Sequence, residues 1–257
     1  MKVNQYFHGQ PCWAELATHN WSAARAFYSD LLGWEMADLA LPNGAFSMFT
    51  IQGDELGAMY QMPERIQEDV QTHWSIYFAV DSVVNSIEQV EQAGGSLILG
   101  PHVIGEAGVM AQLADPEGAR FAIWEAKNHI GAKRIQEIGA LCWVELACRY
   151  ADKEKQFYHS VFNWGSKPSD LPDFEYTEWQ VNHESFGGML EMTAEWEDTL
   201  PHWMLYLTVK DCDVCAERVE QLGGKVCVQP TSIPKVGRFA VVSDPQGGVF
   251  SIIALST

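Results

Sequence analysis

Two stretches of 24 residues in this chain follow the same pattern. "CWAELATHNWSAARAFYSDLLGWE" begins at Cys12 and "CWVELACRYADKEKQFYHSVFNWG" begins at Cys142, 130 positions on, with Trp13/Trp143, Glu15/Glu145, Phe27/Phe157, Tyr28/Tyr158 and Trp34/Trp164 in matching places. A repeat of this length constrains the fold before any local propensity does, because both copies must form the same supersecondary unit. A second block repeats at an offset of 129: "HWSIYFAVD" from His73 answers "HWMLYLTVKD" from His202, "QAGG" from Gln92 answers "QLGG" from Gln221, and "DPEG" from Asp115 answers "DPQG" from Asp244. One residue separates the two offsets, so the register otherwise holds over most of each half. The chain therefore reads as two domains, residues 1–126 and 139–257, joined by a linker over 127–138 within the segment "EAKNHIGAKRIQEIG".

Each half divides again. A short strand at Cys12–Thr18 precedes a helix after Asn20, with Ala24, Phe27 and Leu31 on one stripe and Gly33 at its end. Asn163 stands where Gly33 stood, and both residues tolerate the left-handed conformation common at a helix C-terminus. Further strands are expected around Phe46–Gln52 and Leu56–Met62. The second block repeats the plan: a strand at His73–Val80, a helix from Asp81 closed by Gly94-Gly95, then strands near Ser96–Leu99, Ala107–Ala114 and Ala119–Trp124. The fold class expected is α+β, built of four βαβββ modules.

Charge and cysteine usage narrow the function classes. The 257 residues carry 16 Lys and Arg against 34 Asp and Glu, a formal charge of −18, which opposes attraction to phosphate backbones or anionic lipid. Neither nucleic acid nor a membrane is an expected partner. No apolar run approaches ~18 residues and the first residues lack the apolar core of a secretory signal, so the expected compartment is the cytoplasm. The six cysteines suit reduced thiols in such a compartment. Cys212 and Cys215 spell C-x-x-C, but with Val219 and Leu222 they form the apolar stripe of a helix.

"FYSDLLGWE", "FYHSVFNWG", the paired glycines closing each second helix, and the endings "DPEGARFAIWE" and "DPQGGVFSIIA" resemble the vicinal oxygen chelate superfamily of glyoxalases, bleomycin-resistance proteins and extradiol dioxygenases. The resemblance covers nearly the whole chain. It implies two tandem glyoxalase-like domains, each pairing two modules so that a curved mixed sheet encloses a cavity.

Strand alternation then assigns faces. Trp74, Ile76, Phe78 and Val80 make a core face, leaving His73, Ser75, Tyr77 and Ala79 toward the cavity; Trp203, Leu205, Leu207 and Val209 leave His202, Met204, Tyr206 and Thr208. In the last strand of the first half, Arg120, Ala122 and Trp124 face the cavity. Family register adds Trp13 and Glu15, with Trp143 and Glu145 in the copy. Metal-dependent relatives hold an ion with His, Gln and carboxylate side chains from several strands, and a divalent ion needs about three or four such donors. The resemblance puts Trp13 and Trp143, Ser75 and Met204, and Ala122 and Ser251 at those places. No metal or cofactor is therefore expected, and no residue is assigned a catalytic role. An unorthodox site using His73, His202, Glu15 or Glu191 is the alternative, with His73 and His202 more commonly solvent-facing or backbone-bonded at strand starts.

The expected function is binding of a small, planar or aromatic organic molecule by Trp13, Glu15, Ser75, Tyr77, Arg120 and Trp124 in one cavity and Trp143, Glu145, Met204 and Tyr206 in the other. The alternative is a glyoxalase-type lyase or isomerase, or a dioxygenase-like enzyme, and a third reading has the rings merely filling the barrel. Glu15 and Glu145 are either polar anchors or general bases, or structural carboxylates bonded to backbone N–H groups. Arg120 is expected to meet Glu15, an asymmetry because its counterpart is Val249. A monomer or homodimer is expected, and the openness of each cavity stays undecided.

Overall fold

The computed structural model describes residues 1–41, 44–68, 70–170 and 175–256. The first half runs β1 (Pro11–Thr18), α1 (Trp21–Leu32), β2 (Glu35–Leu41), β3 (Gly44–Ile51), β4 (Asp54–Gln61), β5 (His73–Ala79), α2 (Val83–Gln92), β6 (Ser96–Ile104), β7 (Gly108–Ala114) and β8 (Arg120–Ala126). The second runs β9 (Leu141–Cys148), α3 (Ala151–Phe162), β10 (Gly165–Pro168), β11 (Tyr176–Val181), β12 (Glu184–Glu191), β13 (His202–Thr208), α4 (Cys212–Gln221), β14 (Lys225–Ile233), β15 (Gly237–Ser243) and β16 (Val249–Leu255). Four βαβββ modules are present, and each half forms one eight-stranded mixed sheet, ordered β2-β3-β4-β1-β5-β8-β7-β6 and β10-β11-β12-β9-β13-β16-β15-β14.

Local chemistry sets the helix ends. Asn20 accepts a hydrogen bond from the Ala23 N–H at the start of α1, and Asp211 does the same for Val214 in α4. Gly33 and Asn163 close α1 and α3 in the left-handed conformation, with φ of 69° and 55°. On α4, Cys212, Cys215, Ala216 and Val219 are buried together, and both cysteines are free thiols. The strand β2, which the sequence left unlocated, lies at a sheet edge, where an exposed Leu39 blurs the apolar alternation.

One face of each sheet turns to a single core shared by both halves. Leu16, Ile76, Phe78, Phe121 and Ile123 from the first sheet join Leu146, Leu205, Leu207, Phe250 and Ile252 from the second, with α1 against α4 and α2 against α3. Aromatic rings cross the boundary: Phe78 lies 5.2 Å from Trp203, and Tyr28 lies 5.5 Å from Phe250.

The repeated motifs bond to each other across that boundary. Tyr28 of the first "FY" donates to Asp244 Oδ2 of the second "DP-x-G" at 3.0 Å, and Tyr158 donates to Asp115 Oδ2 at 2.9 Å. The other oxygen of each Asp accepts two backbone N–H groups of its own turn, from Glu117 and Ala119 or from Gln246 and Gly248. Each phenol oxygen accepts in turn from an indole, Trp74 or Trp203. Trp34 donates to the Gly139 carbonyl and Trp164 to the Gly9 carbonyl, again one half to the other. The result is an exchange contact of the kind found in two-fold dimers, made within one chain.

Removing either phenol hydroxyl leaves a buried carboxylate oxygen and an indole N–H unpaired. Tyr28→Phe and Tyr158→Phe should each lower stability by about 1–3 kcal/mol in urea titrations. Because the core is shared, fluorescence and circular dichroism should report one coincident transition. Two resolved transitions would contradict the shared core.

Candidate functional site

The face of each sheet opposite the shared core, here the outer face, is where the sequence places its candidate residues. In the first half this face is occupied by the chain itself. Residues 129–135, the interior of the expected linker, lie across β1, β5 and β8 as a strap. Ala132 packs with Trp13, Ala58, Tyr77, Ala79, Met110, Ala122 and Trp124, and Tyr6 and Ile135 pack against that cluster. The strap is bonded along its length: Ala132 N–H donates to the Cys12 carbonyl, Lys133 N–H to the Glu55 carbonyl, Trp124 Nε1 to the His129 carbonyl, and the Tyr6 hydroxyl to the Ala132 carbonyl, all at 2.7–2.8 Å. The His129 ring stands edge-on to Trp13 at 4.8 Å. Gly131 lets the backbones meet, since a Cβ there would lie 2.3 Å from the Cys12 carbonyl oxygen and φ is +110°.

No described segment is bonded across the second sheet in this way, although Tyr206, Thr208 and Ser251 are as buried as their first-half equivalents Tyr77, Ala79 and Ala122. Trp143 is half-buried where Trp13 is only 7% exposed; Met204, level with Glu145, and Phe239, whose ring lies 6.3 Å from that of Tyr206, are half-buried, as is Tyr176. Glu145 lies at the centre. Its Oε1 accepts from the Tyr206 hydroxyl at 2.9 Å and its Oε2 from the Tyr176 hydroxyl at 2.7 Å; Tyr176 in turn accepts from Trp143 Nε1 at 2.8 Å. Gly188 makes room for the phenol, because a Cβ there would sit 2.2 Å from the Tyr176 oxygen. Ala58 and Phe46 are the first-half equivalents of Gly188 and Tyr176, so the second phenol has no counterpart at that position; the other phenol near Glu15 is Tyr60, on β4. Tyr176 escaped the sequence reading; the doubled glycine of "FGGML" against "LGAMY" is the signal that marks it.

Glu15 accepts a single phenol bond, from Tyr77 at 3.1 Å, with Ser75 level with it on β5. Burial pushes the Glu15 carboxyl up to about 7, against a partial offset from Tyr77, and burial likewise raises Glu145 against its two phenols. The donors to both carboxylates that the structure shows are thus tyrosine hydroxyls rather than backbone N–H groups. The expected partnership of Glu15 with Arg120 is corrected. Register sets Arg120 two strands away on the same level, but as the first residue of β8 it is exposed, hydrated without cost, and makes no ion pair among the described residues. Val249, its counterpart, is also exposed, so the difference in charge between the halves at this place lies in solvent and not in either site.

The donor set does not fit a divalent metal in the manner of the superfamily. Indole, hydroxyl, methyl and thioether groups stand at the places the resemblance assigns to metal ligands, and no group of three or more His, Cys, Asp or Glu side chains converges among the described residues. The alternative ligands have other partners. His73 and His202 each donate Nδ1–H to a backbone carbonyl two residues back, of Gln71 and Leu200, and Glu191 accepts the Ala151 N–H at the start of α3. No described helix is long and apolar enough to cross a membrane.

A family model for a glyoxalase-like domain matches residues 13–124 and again 143–253. Among curated proteins, "Putative glyoxylase CFP32" of Mycobacterium tuberculosis is 35% identical over 255 residues, covering 98% of this chain and 97% of its own. The anthracycline biosynthesis protein DnrV of Streptomyces peucetius is 29% identical over 265 residues, covering 98% and 96%. Among solved structures, the Mn(II)-bound glyoxalase from Novosphingobium aromaticivorans superposes with a TM-score of 0.66 at 18% identity, over 96% of this chain and 82% of that one. The 2,2',3-trihydroxybiphenyl 1,2-dioxygenase of Sphingomonas wittichii gives 0.65 at 15% identity, over 96% and 91%. The two structural likenesses support the fold alone.

Glu15 offers a pH test. Its folded-state value stands above the ordinary 4.5, so its protonated form is the stabilised one; that contribution is complete below about pH 4.5 and is lost as pH rises through about 7. Glu15→Gln keeps an acceptor for Tyr77 and removes the loss. Between pH 5 and 8 the wild type should therefore fall relative to the variant by roughly 1–3 kcal/mol, solvent access setting the lower figure. A difference that does not change with pH would refute the assignment.

Proposed function

The chain belongs to the glyoxalase-like family of the vicinal oxygen chelate superfamily, and on that premise we propose that it binds a small, planar organic molecule on the outer face of its second half, without the divalent metal of its metal-dependent relatives. The observation that carries this reading is the unequal treatment of two equivalent faces. In the first, Trp13, Tyr77 and Trp124 are consumed by the strap and act as a core. In the second, the equivalent Trp143 keeps part of its surface free beside Tyr206 and Phe239, and Glu145 fixes both phenols in place. Rings with two rotatable bonds, held by bonds at their polar ends, offer contact area at low entropic cost, the usual make-up of a small-molecule site.

Of the sequence candidates, Trp143, Glu145, Met204 and Tyr206 then serve the ligand, together with Tyr176, while Trp13, Glu15, Ser75, Tyr77 and Trp124 support the sealed half. Metal-dependent isomerisation or ring cleavage is the less favoured reading because the side chains at the aligned positions are the wrong donors.

Matched substitutions separate the two faces. Trp143→Ala should weaken binding of planar aromatic probes at least tenfold by calorimetry and cost little stability. Trp13→Ala should lower stability by about 3–5 kcal/mol, as for a large side chain lost from a core, and leave affinity unchanged under conditions where the protein stays folded. Affinity lost through Trp13→Ala and kept in Trp143→Ala would reverse the assignment.

A further inference from the structure

The two crossed Tyr–Asp bonds occupy matching seams between the halves, but their surroundings are not alike. Beside Asp115 lies Glu154 of α3, fully buried, and neither of its oxygens receives a hydrogen bond. What it meets within hydrogen-bonding reach is the Asp115 carboxyl of the other half. Asp115 is already supplied with donors, the Glu117 and Ala119 N–H groups on Oδ1 and the Tyr158 hydroxyl on Oδ2. Glu154 has none. Two buried carboxyls this close do not both ionise, so one proton lies between them, and it resides on the group without donors. Glu154, protonated, then donates to Asp115.

Most neighbouring groups favour that proton. Glu117, in the same turn as Asp115, accepts the Arg149 and Tyr150 N–H groups at the start of α3, at 2.6 and 2.8 Å. Glu191 at the end of β12 accepts the Ala151 N–H, and the buried Cys148 thiol at the end of β9 donates to the Leu190 carbonyl within the same cluster. Of the cations, Lys153 on α3 lies over the Tyr150 ring, and the Arg149 guanidinium is taken up by the carbonyls of Thr193, Glu197 and Thr199. The helix α2, also packed on α3, turns Glu88 and Glu91 to solvent. Burial first, and then the charges of Asp115 and Glu117, push the Glu154 carboxyl up to about 9, with Lys153 opposing. No three of these groups converge as ligands for a metal among the described residues.

The duplication supplies an internal control. At the other seam Ala24, Gln246, Gln61 and Thr18 stand where Glu154, Glu117, Glu191 and Cys148 stand here, so Asp244 meets no second carboxyl at these places. The same fold thus closes such a seam without a buried acid. A cleft of about 450 Å³, lined in part by Pro116, Glu117, Arg149, Tyr150 and Leu200, opens beside the Asp115 seam and gives a proton its way to solvent.

We propose that the Glu154–Asp115 contact is a proton-operated latch between the halves. With its proton in place it holds the Asp115 turn against α3; loss of the proton sets two buried anions face to face and loosens that seam, while the Tyr28–Asp244 seam stays closed. Because the folded-state value of Glu154 stands above the ordinary 4.5, its protonated form is the stabilised one. That contribution is complete below about pH 4.5 and is lost as pH rises through about 9.

Two indoles report on the seams separately, Trp203 donating to Tyr158 and Trp74 to Tyr28. Their 15N–1H resonances are followed in the full chain from about pH 7.5 to 10, in wild type and in Glu154→Gln, whose amide donates to Asp115 with no proton to lose. In wild type the Trp203 resonance should move with one midpoint in that range while Trp74 stays; in the variant both should stay. In urea titrations the folded-to-unfolded ratio of wild type should fall at least about tenfold relative to the variant between roughly pH 6 and 9. A Trp203 resonance that is fixed in wild type, or moves equally in the variant, overturns the latch. A Trp74 resonance that moves in step also overturns it, because the change would then belong to the whole interface, and so does a relative stability that does not change with pH. Should Glu154→Gln fail to fold, Glu154→Ala, which installs the residue of the other seam, takes its place with the same deciding outcomes.

Discussion

The crossed Tyr–Asp bonds between the halves are the contact on which the rest of the architecture depends. Each "DP-x-G" aspartate is buried, a position a carboxylate tolerates only when donors surround it, and the donors come from two sources: its own turn and the tyrosine of the other half. The same residue therefore closes a local turn before the last strand of its sheet and locks that sheet to its neighbour. With the core-facing sides of both sheets joined in this way, only the outer faces remain for chemistry. That geometry explains why the two most strongly repeated motifs, "FY" and "DP-x-G", lie far from the candidate ligand site.

Duplication gave the chain two equivalent outer faces, and the structure treats them differently. Residues 129–135 serve as a connection and also as the filling of the first face, where a bonded backbone, a histidine edge and Ala132 take the space a ligand would occupy. That face is made of small residues that pack under the strap: Ala58, Ala79, Ala122. The second face carries Gly188, Thr208 and Ser251 at the same places, with Tyr176 over the glycine. Every one of these exchanges adds room or polarity to the second face.

Much of this was legible in the sequence, and what was not has a physical cause. The repeat, the four modules, the helix caps at Asn20, Gly33 and Asn163, and the alternation that sorts Phe78 from Tyr77 are local signals with a fixed period. The Tyr28–Asp244 bond spans 216 positions and leaves no periodic trace, so the motifs were visible while their pairing was not. The linker was read only as a connection because a strap bonded through its backbone shows little in its side chains, although Ile130, Ala132 and Ile135 are more apolar than a solvated joint requires. Arg120 failed for a simpler reason: alternation fixes the side of a strand, not how far along it solvent reaches. The candidate residues nearest the open site, Trp143, Glu145 and Tyr206, were found from register, and Tyr176 was missed because its role depends on a glycine one strand away.

The central claim is that one face of this duplicated fold is sealed by its own chain and the other receives the ligand. Indole 15N–1H resonances, assigned by single Trp→Phe substitutions and followed through a titration with 2-naphthol, test it most directly. The account predicts a saturable shift of the Trp143 resonance, whose N–H is bonded to Tyr176, with Trp13 and Trp124 unmoved beneath the strap. Shifts at Trp13 and Trp124 with Trp143 unchanged would mean that the strap yields to ligand and that the faces have been assigned the wrong way round.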